Sequence, residues 1–171
     1  VSFTGSTPVG RQVGAAAGEN LAAVTLELGG KSPMVVFDDA DPEAVAAAMR
    51  WSVFFNAGQV CSAGTRLYVQ RGLYDRVLEE TVKLAGSMKL APGLNPECDM
   101  GPVISSSQHA SIRKYIDQGI AEGARLVCGG QVLEGEGYFV PPTVLAVDDN
   151  QATVMQEEIF GPVLVAMPFD D

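Results

Sequence analysis

Short apolar runs alternate with longer amphipathic ones along this chain, and the alternation predicts its elements. Val1 to Thr4 reads as a buried strand, Pro8 to Ala17 as a helix of small residues, and Leu21 to Leu28 and Met34 to Phe37 as strands. Asp41 is a predicted N-cap, with Pro42 at the first helical position and Glu43 in the first turn. The helix it starts runs to Phe55, with Val45, Met49, Trp51, Val53 and Phe54 as its apolar positions. Arg66 to Val69 is then a strand, Leu73 to Met88 a helix and Pro92 to Pro102 a loop. Ser107 to Glu122 is a helix, with Ile112, Tyr115, Ile116 and Ile120 at helical spacing. Arg125 to Cys128 is a strand, Gly129 to Gly137 a turn region and Phe139 to Val147 an extended segment. Ala152 to Ile159 reads as a short helix and Val163 to Pro168 as a last strand. Strands separated by helices of this length imply βαβ units, hence an α/β fold with a largely parallel sheet.

Composition narrows the function classes. The formal charge is −10, without a block of basic residues, which argues against nucleic acid or an anionic membrane surface as partner. No stretch is long and apolar enough to span a bilayer. Cys61, Cys98 and Cys128 are widely spaced and there is one histidine, His109, so no metal site is expected and a reducing compartment suits the thiols. The chain opens in mid-strand on Val1-Ser2-Phe3 and stops straight after a strand, so it is expected to be part of a longer polypeptide.

Four constellations could carry chemistry. Phe54-Phe55-Asn56-Ala57-Gly58-Gln59-Val60-Cys61 sets a thiol just past a glycine turn. There, backbone N–H groups could face an oxyanion and favour the thiolate, unless Cys61 is simply a small buried hydrophobe. Glu27, in Leu26-Glu27-Leu28-Gly29-Gly30-Lys31, is a carboxylate within an apolar strand. Burial would raise its pKa toward that of a general base; otherwise it faces solvent or pairs with Lys31. Phe3-Thr4-Gly5-Ser6 lies between a strand and a helix, where free N–H groups can bind phosphate or merely make a turn. It lacks the GxGxxG spacing. Glu158 and Phe160, in Gln156-Glu157-Glu158-Ile159-Phe160-Gly161-Pro162, could clamp a ribose and an aromatic ring, or could end a helix with solvated acids. Cys98, Cys128 and His109 read as structural or solvated.

In this order and spacing, the four resemble the NAD(P)-dependent aldehyde dehydrogenase family across essentially the whole chain. The resemblance implies a three-layer Rossmann-like catalytic domain, truncated at both ends, over residues 28–171. Residues 1–27 would be the last piece of the cofactor domain. It implies Cys61 as the nucleophile that adds to an aldehyde, NAD or NADP as hydride acceptor, and Glu27 as the base that activates water to release the acid. Gly5 and Ser6 would meet the cofactor pyrophosphate, Glu158 a ribose hydroxyl, and Leu28 and Phe160 the nicotinamide. Phe55, Val60 and Ser62 would line the aldehyde tunnel and suit a mid-sized, uncharged or aromatic substrate. A CoA-acylating relative would not need Glu27, so its presence favours hydrolysis. A non-catalytic, self-associating remnant is the rival outside enzymes.

By the same resemblance a cytoplasmic homo-oligomer is expected, built from a longer subunit. Its upstream part supplies an Asn donor to the oxyanion hole and a Lys to the adenosine ribose. Losing one oxyanion donor typically costs about 100- to 1,000-fold in rate. The chain by itself is therefore expected to show negligible turnover and poor NAD affinity.

Overall fold

The computed structural model describes residues 1–170 except 132, 134 and 136. The chain divides into two compact units, Val1–Gly30 and Lys31–Asp171.

The first unit is a βαβ element. Strand β1 (Ser2–Gly5) pairs in parallel with β2 (Thr25–Leu28), aligning Ser2 with Thr25 and Gly5 with Leu28. Helix α1 (Thr7–Glu19) connects them and starts at Ser6, with Pro8 in its first turn. It packs closely on β2, because a Cβ at Gly10 would overlap the Leu28 side chain. The strand expected from Leu21 begins instead at Thr25. Leu21 lies in a left-handed turn (φ 52°) and is 96% exposed, since the chain must reverse after α1 before it can pair with β1.

The second unit is built on a five-stranded sheet in the order β3-β4-β7-β6-β5. Its strands are β3 (Ser32–Val36), β4 (Gly64–Gln70), β5 (Arg125–Cys128), β6 (Thr143–Ala146) and β7 (Val163–Phe169). Every pairing is parallel except β5 with β6. Position in the sheet explains composition. All four residues of β6 and the first four of β7 are buried, so β7 opens as an unbroken apolar run and β6 is apolar after Thr143, whose hydroxyl donates to the Pro141 carbonyl. The edge strand β3 alternates in exposure instead. Helices α2 (Pro42–Ser52) and α3 (Arg71–Ser87) pack on each other, and α3 also packs on β4, β5 and β7. Helix α4 (Ser106–Ala121) pairs with the single turn α5 (Thr153–Gln156), and a Cβ at Gly119 would press on Val154 and Leu145. Ile112, Ile116, Leu145 and Leu164 belong to one fully buried core.

Helix starts follow the sequence closely. The Asp41 side chain accepts from the Glu43 N–H at 3.1 Å, and Ser105 Oγ accepts from the Gln108 N–H at 3.2 Å. Helix ends do so less well. Helix α2 stops at Ser52, not Phe55, because Asn56, Ala57 and Gly58 all take positive φ (50°, 53° and 71°). Three such residues cannot continue a right-handed helix. The helix expected from Ala152 to Ile159 is only Thr153–Gln156, because Glu157 is extended and Phe160 has φ 55°. The extended segment from Phe139 yields a strand only from Thr143, since Pro141 and Pro142 cannot donate to a ladder. Val132, Glu134 and Glu136 of the expected Gly129–Gly137 turn lie outside the described residues.

Leu164 is 0% exposed in a strand flanked on both sides. Leu164→Ala is expected to destabilise the chain by about 2–5 kcal/mol, read as a lower urea midpoint.

Candidate active site

The Cys61 loop is fastened at both ends while its thiol faces outward. Asn56 Nδ2 donates to the Gln59 carbonyl and Gln59 Nε2 to the Asn56 carbonyl, both at 3.1 Å. Gln59 Oε1 accepts from the Ile104 N–H at 3.0 Å. Further along, Ser52 Oγ accepts from the Gly64 N–H at 3.1 Å and donates to Met34 Sδ at 3.2 Å, tying the end of α2 to β3 and the start of β4. Between these anchors the Ala63 N–H closes a turn on the Val60 carbonyl at 3.1 Å. Cys61 and Ser62 sit at its exposed tip, and Val60 is half-buried. An exposed thiol on a stapled turn is not the small buried hydrophobe that the sequence left open.

The second constellation lies against this loop. A Cβ on Gly58 would collide with the Gly161 carbonyl and come within 2.7 Å of the Pro162 nitrogen. The two backbones therefore meet with no side chain between them. Gln108 Nε2, on α4, holds the same segment by donating to the carbonyls of Ile159 (3.1 Å) and Phe160 (2.8 Å). Glu157 accepts from the Tyr115 hydroxyl at 2.8 Å. That bond, more than burial, raises the Tyr115 pKa. Glu158 is half-buried and Phe160 is 37% exposed two residues on.

A charged cluster joins them from within the second unit. Lys31 Nζ and Arg66 Nε are buried and make no hydrogen bond among the described residues. Burial first, and Arg66 second, push the Lys31 pKa down to about 8, while Glu158 opposes them. Lys31 was read in the sequence only as a possible mate for Glu27. The available signal was a lysine opening an apolar strand.

Trp51, one of the apolar positions read along α2, is 72% exposed. Its ring lies 6.1 Å from that of Phe55, itself 52% exposed, so two aromatic faces border the Cys61 loop. Their i,i+4 spacing was the legible sign.

In the first unit, Gly5 and Ser6 are exposed at the head of α1, and the Ser6 side chain makes no cap bond there. No acid occupies the first turn. Leu28 is half-buried. Glu27 is exposed, the solvent-facing alternative that the sequence left open, because β2 belongs to a two-stranded sheet and alternates in exposure. Cys98 Sγ donates to the Ala91 carbonyl at 3.0 Å, and burial pushes the Cys128 thiol up. Among the described residues no group of His, Cys, Asp and Glu is arranged to hold a metal ion, and no helix is long and apolar enough to cross a membrane.

Comparison with known proteins bears on the whole chain, because the profile of the Aldehyde dehydrogenase family matches residues 1–171. The chain belongs to the aldehyde dehydrogenase family. It is 45% identical to a betaine aldehyde dehydrogenase of Cereibacter sphaeroides over 170 residues, which cover 99% of this chain and 35% of that one. It is 44% identical to a phenylacetaldehyde dehydrogenase of Pseudomonas fluorescens over 173 residues, covering 100% and 34%. Among solved structures, the NAD+ complex of an aldehyde dehydrogenase from Bacillus cereus superposes with a TM-score of 0.96 at 43% identity, over 100% of this chain and 35% of that one. An aldehyde dehydrogenase of Mycobacterium tuberculosis complexed with NAD+ gives 0.95 at 45% identity, over 99% and 36%. The aldehyde dehydrogenase segment described here thus spans about a third of its relatives' length.

The contact between Gly58 and Gly161 can be tested by adding one carbon. Gly58→Ala places a Cβ at positive φ against backbone, and is expected to destabilise the chain by roughly 2–5 kcal/mol. Gly86→Ala, in α3 with nothing within 4 Å of its Cβ, should instead stabilise by up to about 1 kcal/mol. Urea midpoints of the two variants check both signs.

Proposed function

We propose that this chain carries the thiol chemistry of an enzyme that oxidises an aldehyde to its carboxylic acid with NAD or NADP. Because the chain spans about 35% of its relatives' length, the reaction is proposed for an enzyme of full family length that contains it. The observation that carries the reading is the exposed Cys61 turn resting, through Gly58, on the Glu158–Gly161 segment.

Taken unit by unit, the residues suit parts of a dinucleotide. The head of α1 offers open N–H groups and an uncommitted Ser6 hydroxyl to a pyrophosphate, with no acid nearby in its first turn to repel it. Glu158 can accept from a ribose hydroxyl and the exposed face of Phe160 can flank a nicotinamide, while Leu28 is carried as a nicotinamide contact by the family resemblance alone. Residues 1–27 are read as the end of the cofactor domain and 28–171 as catalytic domain.

Cys61 thiolate adds to the aldehyde carbon, and its own backbone N–H helps hold the oxyanion of the thiohemiacetal. When bound, the nicotinamide supplies the two-electron acceptor that turns this adduct into a thioester. Glu27 then takes a proton from water as it attacks the thioester carbonyl, and the acid leaves as the C–S bond breaks. A carboxylate at Glu27 favours this hydrolytic ending over transfer to CoA. Phe55, Val60 and Ser62 line the aldehyde path, and Trp51 adds a second ring to that of Phe55, which favours an aromatic aldehyde. Relatives named for betaine aldehyde and for phenylacetaldehyde are both similar to this chain. A cytoplasmic homo-oligomer is part of the same reading.

In the full-length enzyme, Cys61→Ala is expected to abolish NADH formation across an aldehyde panel. Turnover that survived this change would overturn the reading. Glu27→Gln should release about one NADH per site and then slow by roughly 100- to 10,000-fold, the usual worth of a positioned base. Free acid, not acyl-CoA, should be the product in the presence of CoA.

A further inference from the structure

Three neighbouring strands of the second unit, β3, β4 and β7, run parallel, and each begins just after a residue of interest. Lys31 precedes β3, Cys61 precedes β4, and Glu158 to Gly161 precede β7. The register sets Ser32 beside Gly64 and Pro33 beside Arg66, so Lys31 comes to the same sheet end as the Cys61 turn.

A lysine that only covered apolar surface would carry its ammonium out to water. Lys31 does not: Nζ is buried and without a hydrogen bond among the described residues. The charged groups acting on it are Arg66, from β4, which repels it, and Glu158, from the segment before β7, which attracts it. Strand β3 itself contributes no ionisable side chain.

We infer that Lys31 is a positioning residue: its ammonium, backed by Arg66, draws the Glu158 carboxylate into the orientation that accepts a ribose hydroxyl. This rests on the reading of Glu158 as a cofactor contact. Cofactor affinity then follows the Lys31 proton. The lysine is charged below about pH 8 and neutral above it, so binding is tight on the acid side and weakens as the pH rises through that value. By linkage, the dinucleotide favours the protonated lysine and takes up part of a proton when it binds near this pH.

The test measures the NAD dissociation constant of the full-length enzyme by calorimetry from pH 6.5 to 9.5, in buffers of differing ionisation enthalpy. The wild type should weaken roughly five- to tenfold through pH 8, a typical coupling, with proton uptake there. Lys31→Arg keeps a charge at every pH and should bind without the pH step. Lys31→Met and Glu158→Gln should both bind weakly and without it. Thermal midpoints measured alongside separate a folding defect, which shifts stability but leaves the pH step in place. A step that persists in Lys31→Arg, while Glu158→Gln weakens binding, overturns the role of Lys31 alone. Unchanged binding in Glu158→Gln overturns the reading of Glu158 and this inference with it.

Discussion

The contact on which the rest of the second unit depends is the approach of one bare backbone to another at Gly58 and Gly161. Neither position tolerates a Cβ: one at Gly58 meets the Gly161 carbonyl, and one at Gly161 comes within 2.5 Å of Ile112 Cδ1. The Cys61 loop, the 157–162 segment and the core face of α4 are therefore layered without slack. Interiors packed this closely transmit displacement rather than absorb it. A small shift of α4 would move Gln108, and with it the Ile159 and Phe160 carbonyls that Gln108 holds. The thiol turn rests on the far side of the same stack. Precision at the site follows from packing that begins in the core.

That precision coexists with a destabilising charge. Lys31 falls from its ordinary value of 10.5 to about 8, so between these values the unfolded chain holds a proton that the folded chain has released. Stability therefore rises with pH across that window, and below it the buried ammonium costs roughly 3 kcal/mol, at 1.36 kcal/mol per unit. A hydrophobic residue of similar length would remove the penalty. Retaining a buried cation beside Arg66 and Glu158 is easier to understand as service to the site than to the fold, because perturbed groups gather where function constrains sequence.

Most of the architecture was legible because long amphipathic helices and unbroken apolar strands have distinct periods. The predicted N-cap at Asp41 and the runs of β6 and β7 show this. What was not legible depended on backbone conformation or on distance along the chain. Nothing in Phe54-Phe55-Asn56-Ala57 announces two consecutive left-handed non-glycine residues, and the hydrogen bonds that compensate them come from Gln59 and Asn56 themselves. The exposure of Glu27 depended on β2 having a single partner. The charged cluster required the register of β3 against β4, which residue type alone does not reveal.

The sheet order explains why motifs so far apart in sequence converge. Parallel strands begin at one edge of a sheet, so a residue just ahead of each strand is delivered to that edge however long the intervening connection. Lys31 and Cys61 are separated by α2, and Cys61 and Glu158 by nearly a hundred residues that include α3, α4, β5 and β6. The adjacency of β3, β4 and β7 removes both separations at once. Ligands in open α/β sheets more often meet the carboxyl ends of the strands. Here the loops entering the strands carry the candidate chemistry, and their short, fastened geometry suits a thiol that must be held still. The antiparallel β5 lies at the opposite margin of the sheet and takes no part, so its reversal leaves the converging edge intact.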